Sequence, residues 1–168
     1  MGQHPATLRS SRAIQFPLLV PPRAGQLAAL ESKGVNYAKR WVVELLLDLA
    51  GYRAEANLVD SVAVEPAAGD GAFLGPMIER MADSCQRLKR PLTDCTSALI
   101  AYELDDASAE RARSLAEDIL IKHGLKRSSA ERLAGTWVRT GDYLFDATTV
   151  EADFVIGNPP LCASRRYS

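Results

Sequence analysis

Short apolar runs alternate with stretches of helical periodicity along most of this chain, and few architectures accept that pattern. Residues 61–64 (SVAV), 98–103 (ALIAYE), 136–140 (TWVRT) and 153–156 (DFVI) are short and apolar, several of them β-branched, as buried strands are. Between and before them lie helical stretches. Residues 40–50 (RWVVELLLDLA) put Val42, Val43, Leu45, Leu46 and Leu49 on one broad face, with Gly51 as a C-terminal stop. A second helix follows the first strand and runs to about residue 89, closed by Pro91. A third, over residues 107–123, turns Ala109, Ala112, Leu115, Ala116, Ile119 and Leu120 inward. Ser128 and Ser129 are placed to cap a short helix over residues 130–134. Strands joined by helical crossovers imply a parallel, doubly wound α/β sheet. Such sheets bind ligands outside the carboxyl ends of their strands, so the residues that follow each strand matter most.

Composition narrows the setting. The 168 residues suffice for one domain with a core, and 47% hydrophobic with 24% charged residues is ordinary for a globular chain. Cys85, Cys95 and Cys162 are odd in number and form no C-x-x-C pair. That argues against a disulfide scaffold or a zinc site and favours a reducing, cytoplasmic setting. No apolar run approaches the ~20 residues of a bilayer span, so no membrane is expected. Residues 1–30 hold Arg9, Arg12 and Arg23 and no acid, leaving 17 basic and 21 acidic groups, a net of −4, for the remainder. A flexible N-terminal tail over 1–30, ending beyond Pro21-Pro22, is the plainest reading, with a transit peptide as the other. The acidic remainder lacks the basic face of a duplex-gripping protein.

The ends of the strands carry distinctive residues. The first is followed by Glu65-Pro66-Ala67-Ala68-Gly69-Asp70-Gly71-Ala72-Phe73-Leu74. Two glycines let the backbone approach a ligand, and a helix beginning near Ala72 aims its amide dipole at it. Leu74 leaves G-x-G-x-x-G incomplete, and a plain strand-to-helix turn also accounts for these residues. The second strand ends at Glu103, placed either to accept from ribose hydroxyls or to sit solvated beside Asp105 and Asp106. After the third strand, Asp142 is suited to accept from an adenine amine, with Tyr143 or Phe145 against the ring, or to cap a turn. The fourth strand leads into Gly157-Asn158-Pro159-Pro160. Two prolines restrict the backbone and forbid helix at Asn158, holding its side-chain oxygen outward. An amine conjugated with a ring is a poor nucleophile. Oxygens that accept its hydrogens rehybridise the nitrogen and let it attack an electrophilic methyl group.

In this order the motifs resemble those of the class I S-adenosylmethionine-dependent methyltransferases, and more closely the N6-adenine DNA methyltransferases of restriction-modification systems. The resemblance covers residues 33–160. Residues 65–74 are similar to the family's methionine-binding Asp-Pro-Ala-Cys-Gly-Ser-Gly-Ala-Phe-Leu, and Lys33-Gly34-Val35-Asn36-Tyr37 to its upstream cofactor motif. It implies a Rossmann-like sheet, incomplete at the C-terminus, over residues 31–168, with the target-recognition domain absent. It implies S-adenosylmethionine bound by Tyr37, Glu65, Pro66, Ala67, Gly69, Gly71, Phe73, Glu103, Asp142, Tyr143 and Asn158. Asn158, Pro159 and Pro160 become the catalytic loop. DNA is the implied partner, through a region outside this chain, with a partner subunit or restriction endonuclease as further candidates. A protein-glutamine methyltransferase, an RNA methyltransferase and a non-catalytic cofactor-binding remnant are the competing readings.

Leu161 stands where that family places an aromatic residue, which would stack on a flipped adenine. One allowed set of codons for the final eight residues, read one base later, gives Tyr-Val-Arg-Leu-Glu-Asp-Ile-Pro. A frameshifted or interrupted gene is therefore the expectation, and the chain alone should bind duplex weakly and methylate DNA negligibly. Sequencing of the locus tests it: no open frame downstream in the alternative register would end the idea.

Overall fold

The computed structural model describes residues 12–13, 40–146 and 150–158. Four parallel strands form the sheet: β2 (Ala63–Glu65), β3 (Leu99–Glu103), β4 (Val138–Thr140) and β5 (Phe154–Val155). Their spatial order is β5-β2-β3-β4, and a two-residue strand, β1 (Arg12–Ala13), adds in parallel to the outside of β5. β1 thus falls within the segment read from the sequence as a tail. The helices are α1 (Arg40–Ala50), α2 (Leu74–Leu88), α3 (Asp106–Lys122), α4 (Arg127–Trp137) and the single turn α5 (Tyr143–Asp146). The mixed α/β architecture with a parallel sheet agrees with expectation and is compatible with a Rossmann-like methyltransferase.

Strand alternation sorts the core into two layers. Ala63, Leu99, Ala101 and Val138 face the main cluster, packed under α2, α3 and α4. Val64, Ile100 and Tyr102 point to the other face, against Val62, Val150, Ala152 and Val155. α3 carries Ala109, Ala112 and Ala116 on its buried side, small enough for neighbouring helices to approach closely. Its start is capped by Asp105, whose carboxylate accepts from the Ser108 N–H at 2.8 Å.

Three expectations about helices need correction. α1 buries Val43 and Leu47, whereas Leu45 is 48% and Leu49 55% exposed. α1 carries a charged stripe, Arg40, Glu44 and Asp48, but that stripe is turned towards α2 rather than simply to solvent. Selection comes from Arg80 of α2, which pairs with Glu44 at 2.6 Å and Asp48 at 2.7 Å and donates to the Tyr52 carbonyl at 2.9 Å. α4 extends from Arg127 through Trp137 rather than over 130–134, and Lys126, not a serine, holds its N-cap position. Trp137, fully buried with its indole N–H on the Cys95 carbonyl at 3.0 Å, makes the helix C-terminus a packing element where strand propensity predicted an extended chain. Finally, α2 begins at Leu74, two residues later than read, because Gly69–Phe73 forms a turn.

Candidate functional site

Two crossovers carry the chain outward from β2 through β3 to β4. It then returns to lay β5 on the opposite side of β2. The switch point of the sheet therefore lies between β2 and β5, where the diverging connections leave a crevice beyond the carboxyl ends. Glu65 ends β2 there, and Gly157-Asn158 follows β5.

The turn after β2 is held from several sides. Gly69 and Gly71 have φ of +52° and +83°, which side-chain-bearing residues rarely adopt. A Cβ on Gly71 would collide with the Leu115 side chain of α3, whereas the same position on Gly69 meets open space. The Ala68 N–H donates to the Tyr102 carbonyl at 2.8 Å, tying the turn to β3. The half-buried Glu103 carboxylate accepts from the Gly69 N–H at 2.7 Å and from the Asp105 N–H at 3.0 Å. Of the two readings of Glu103, the isolated solvated carboxylate is not what the fold builds, since this acid clamps the glycine turn. Arg111 of α3 reaches the same turn, 3.0 Å from Asp70. Phe73 is 3% exposed and anchors the turn in the core.

Glu65 is the unusual group of the site. It is 1% exposed, and its Oε2 has no hydrogen-bond partner among the described residues. Burial, and secondarily the Glu103 charge, push its carboxyl well above the usual carboxylate range. A buried acid with a free oxygen at a ligand crevice is poised to accept from a polar or cationic group. Gly157 closes against it: a Cβ there would stand 2.9 Å from the Pro66 Cδ and 3.6 Å from the Glu65 Cγ. Only glycine lets the segment carrying Asn158 lie this close to the β2 turn.

On the far side of β3, the Gly141 N–H donates to the Glu103 carbonyl at 2.9 Å. Asp142 then accepts the Leu144 N–H at 2.9 Å, so it caps α5, the second of the roles its sequence context suggested. Tyr143 packs edge-on against Tyr102, ring centroids 5.7 Å apart. Leu104, Leu144 and Phe145 are exposed, at 69, 75 and 79%. A separate cleft between α1 and α2, lined by Arg40, Glu44, Asp48, Glu79 and Arg80, lies away from the strand ends. Its lining is an ion-pair network, and the crevice at the switch point is the better candidate on chemistry.

The chain is 36% identical over 134 residues to the type II methyltransferase M.XhoI of Xanthomonas vasicola, a match covering 77% of this chain and 24% of that protein. It is 35% identical over 135 residues to M.PaeR7I of Pseudomonas aeruginosa, covering 78% and 23%. With M.BstVI of Geobacillus stearothermophilus, a third type II methyltransferase, it shares 32% over 135 residues, covering 76% and 24%. The chain is homologous to the type II methyltransferases. It spans about a quarter of the length of these curated relatives. No protein-family model and no solved structure matches it.

With this kinship to the type II methyltransferases in hand, the residues singled out from sequence can be located. Glu65 and Glu103 end β2 and β3, and Pro66, Ala67, Gly69, Gly71, Asp142, Tyr143 and Asn158 follow the carboxyl ends of β2, β4 and β5. The contacts just described link the β2 turn to Glu103, Glu103 to Gly141, and Pro66 to Gly157. Tyr37, Pro159, Pro160 and Leu161 lie outside the described residues. Sequence reasoning gave no site role to Tyr102 or Arg111, and read Leu115 only as an inward helix residue; all three support the turn from β3 and α3. It also listed no role for Gly157, although a glycine directly before Asn-Pro-Pro was a visible sign of close approach.

Proposed function

We propose that this chain is the cofactor-binding part of a DNA methyltransferase that moves a methyl group from S-adenosylmethionine to N6 of adenine, within a restriction-modification system. One observation carries the reading. The Glu65–Phe73 turn, Glu103 and the Asn158 segment converge at the switch point of a parallel sheet, in a chain homologous to type II methyltransferases.

The residues present suit that cofactor. Among the described residues, Glu65 has a buried oxygen without a partner and a Cβ on Gly69 would meet nothing within 4 Å. Glu65, Pro66, Ala67, Gly69 and Gly71 would hold the methionine end, with Phe73 anchoring the turn. Glu103 would hold the ribose, and Asp142 and Tyr143 the adenine; Tyr37 is assigned by resemblance alone. When bound, the cofactor supplies a methyl group on a positively charged sulfur. Asn158 has the separate task of accepting hydrogens from the target amine, with Pro159 and Pro160 restricting its backbone. Each carboxylate oxygen of Glu103 has lone-pair capacity beyond the one N–H it accepts, so clamping the turn and binding ribose are compatible.

Calorimetric titration with S-adenosylhomocysteine tests the binding half. Glu103→Gln keeps an acceptor for Gly69 but replaces the oxygen that faces the Asp105 N–H and would face the ribose, and should weaken binding roughly tenfold, equivalent to ~1.4 kcal/mol. Undiminished binding would remove Glu103 from the site. Methyl transfer from labelled cofactor to DNA, RNA and protein tests the rest, with the chain alone and supplemented by the unmatched part of M.XhoI. Label in DNA adenine, lost in Asn158→Ala while cofactor binding persists, is expected; label in RNA or protein instead would overturn the assignment.

A further inference from the structure

Cys85 lies in the last turn of α2, and Cys95 ends the one-turn 3-10 helix Leu92–Cys95 that leads towards β3. Their sulfur atoms are 3.2 Å apart, and both residues are buried, Cys85 at 2% and Cys95 at 0% exposed. That separation exceeds an S–S bond by only about 1 Å. Contacts that do not involve sulfur hold the two residues in place. The Cys85 carbonyl accepts from the Arg90 N–H at 2.9 Å, and the Cys95 carbonyl from the Ala98 N–H and the Trp137 indole, both at 3.0 Å. Lys89, at φ +55°, reverses the chain after α2. Arg90 then pins the intervening loop through Asp60 at 2.7 Å and Asp94 at 2.9 Å. A cysteine serving as small apolar filler needs no second thiol beside it.

We propose that Cys85 and Cys95 form a redox pair, which hydrogen peroxide converts into an intramolecular disulfide. Cys85 is the attacking thiol. The hydrogen bond shared with Cys95, and then the nearby Arg90 charge, hold its pKa below the ordinary thiol value despite burial. The same hydrogen bond, and then burial, push Cys95 up, so it keeps its proton while Cys85 reacts. Ionised Cys85 sulfur attacks one peroxide oxygen and the O–O bond breaks. Sulfur becomes a sulfenic acid, and the departing hydroxide takes up the proton that Cys85 released, forming water. The Cys95 sulfur then attacks the Cys85 sulfur, the S–O bond breaks, and hydroxide leaves with the Cys95 proton as a second water. Two thiols are oxidised and one peroxide is reduced to two waters. Peroxide is small enough to reach buried sulfur during local opening of this loop.

The crosslink would tie the end of α2 to the approach to β3, at the amino edge of the sheet. Glu65, Glu103 and Asn158 are at the carboxyl edge, so oxidation is a property separate from the proposed transfer site. Cys162 lies outside the described residues, and Cys162→Ser leaves only the two thiols in question. Folded Cys162→Ser protein is treated with graded hydrogen peroxide, then denatured and its thiols counted. Both thiols should disappear together, with the loss of two hydrogens in mass and a Cys85–Cys95-linked peptide that dithiothreitol separates. Trp137 fluorescence should shift with the same midpoint, because its indole sits on the Cys95 carbonyl. Cys85→Ser or Cys95→Ser should abolish the crosslink; if either fails to fold, peptide mapping of the parent still decides. Sulfinic acid on either residue without a crosslink, crosslinks only between chains, or two thiols that survive peroxide in the folded protein would each overturn the proposal.

Discussion

Glu65 shows how a single buried acid couples this fold to pH. Unfolded, its carboxyl ionises near 4.5; folded, burial and the Glu103 charge keep it protonated to well above that value. The folded-state pKa is the raised one, so the stability this group contributes is complete below pH 4.5. It is lost as pH climbs from there through the folded pKa. The melting temperature of the cofactor-free chain should therefore fall across that window, and Glu65→Gln, neutral throughout, should flatten the decline. An equally steep decline in the variant would assign it to other groups. Gly157 tests close approach. Glycine-to-alanine replacement there puts a methyl group 2.9 Å from the Pro66 Cδ. We expect urea denaturation to register a loss of roughly 1–3 kcal/mol, as for other overpacked sites, together with weaker cofactor binding.

Helix placement depends on a few contacts between elements. α1 is oriented by Val43 and Leu47 against the core and by the Arg80 clamp on Glu44 and Asp48. Leu47→Ala should cost ~2–5 kcal/mol, the range for a fully buried leucine. Leu49→Lys, on the exposed side, should change stability by only about 0.5 kcal/mol. If the two substitutions cost the same in thermal denaturation, α1 is rotated from the orientation described. Arg80→Ala should cost roughly 1–3 kcal/mol, because the Tyr52 carbonyl loses its Arg80 donor and Glu44 and Asp48 lose their shared partner, Glu44 keeping only Arg40. The Glu103 clamp is the corresponding device at the carboxyl edge, where it holds the turn after β2 against the end of β3.

The parallel sheet assembles its candidate site from four connections that are distant in sequence. Its order, with β5 returning beside β2, puts the Asn158 segment next to the glycine turn across the crevice. Among the described residues no helix is long and apolar enough to cross a membrane. The chain as a whole carries a net charge of only −1, so it has little to offer a phosphate backbone. We expect the chain alone to bind duplex DNA weakly and without sequence preference, through few phosphate contacts. A filter-binding titration showing salt-tolerant, sequence-specific binding by these 168 residues would contradict that expectation.

Local regularities of the chain were enough to settle the alternation of strands and helices and the motif after each strand. Apolar period and turn residues act over a few neighbours, and both are written directly in the sequence. Asn158 beside two prolines and the Glu65–Leu74 run also carried the resemblance to methyltransferases, which homology to type II methyltransferases supports. Tertiary structure alone decided what those residues touch. Gly69 meets Glu103 across 34 positions, and Val62 meets Asp153 across 91. No local period encodes such pairings, because they follow from the order in which the strands line up. The same holds for the buried face of α1, whose charged stripe pairs with Arg80 of α2 instead of facing only solvent. It holds for Trp137, whose strand propensity gave way to burial as the last residue of α4, and for Cys85 and Cys95, which a loop reversal brings within 3.2 Å. Propensity contributes a fraction of a kcal/mol per residue, whereas burial of a large side chain contributes several times that, so packing prevailed wherever the two disagreed.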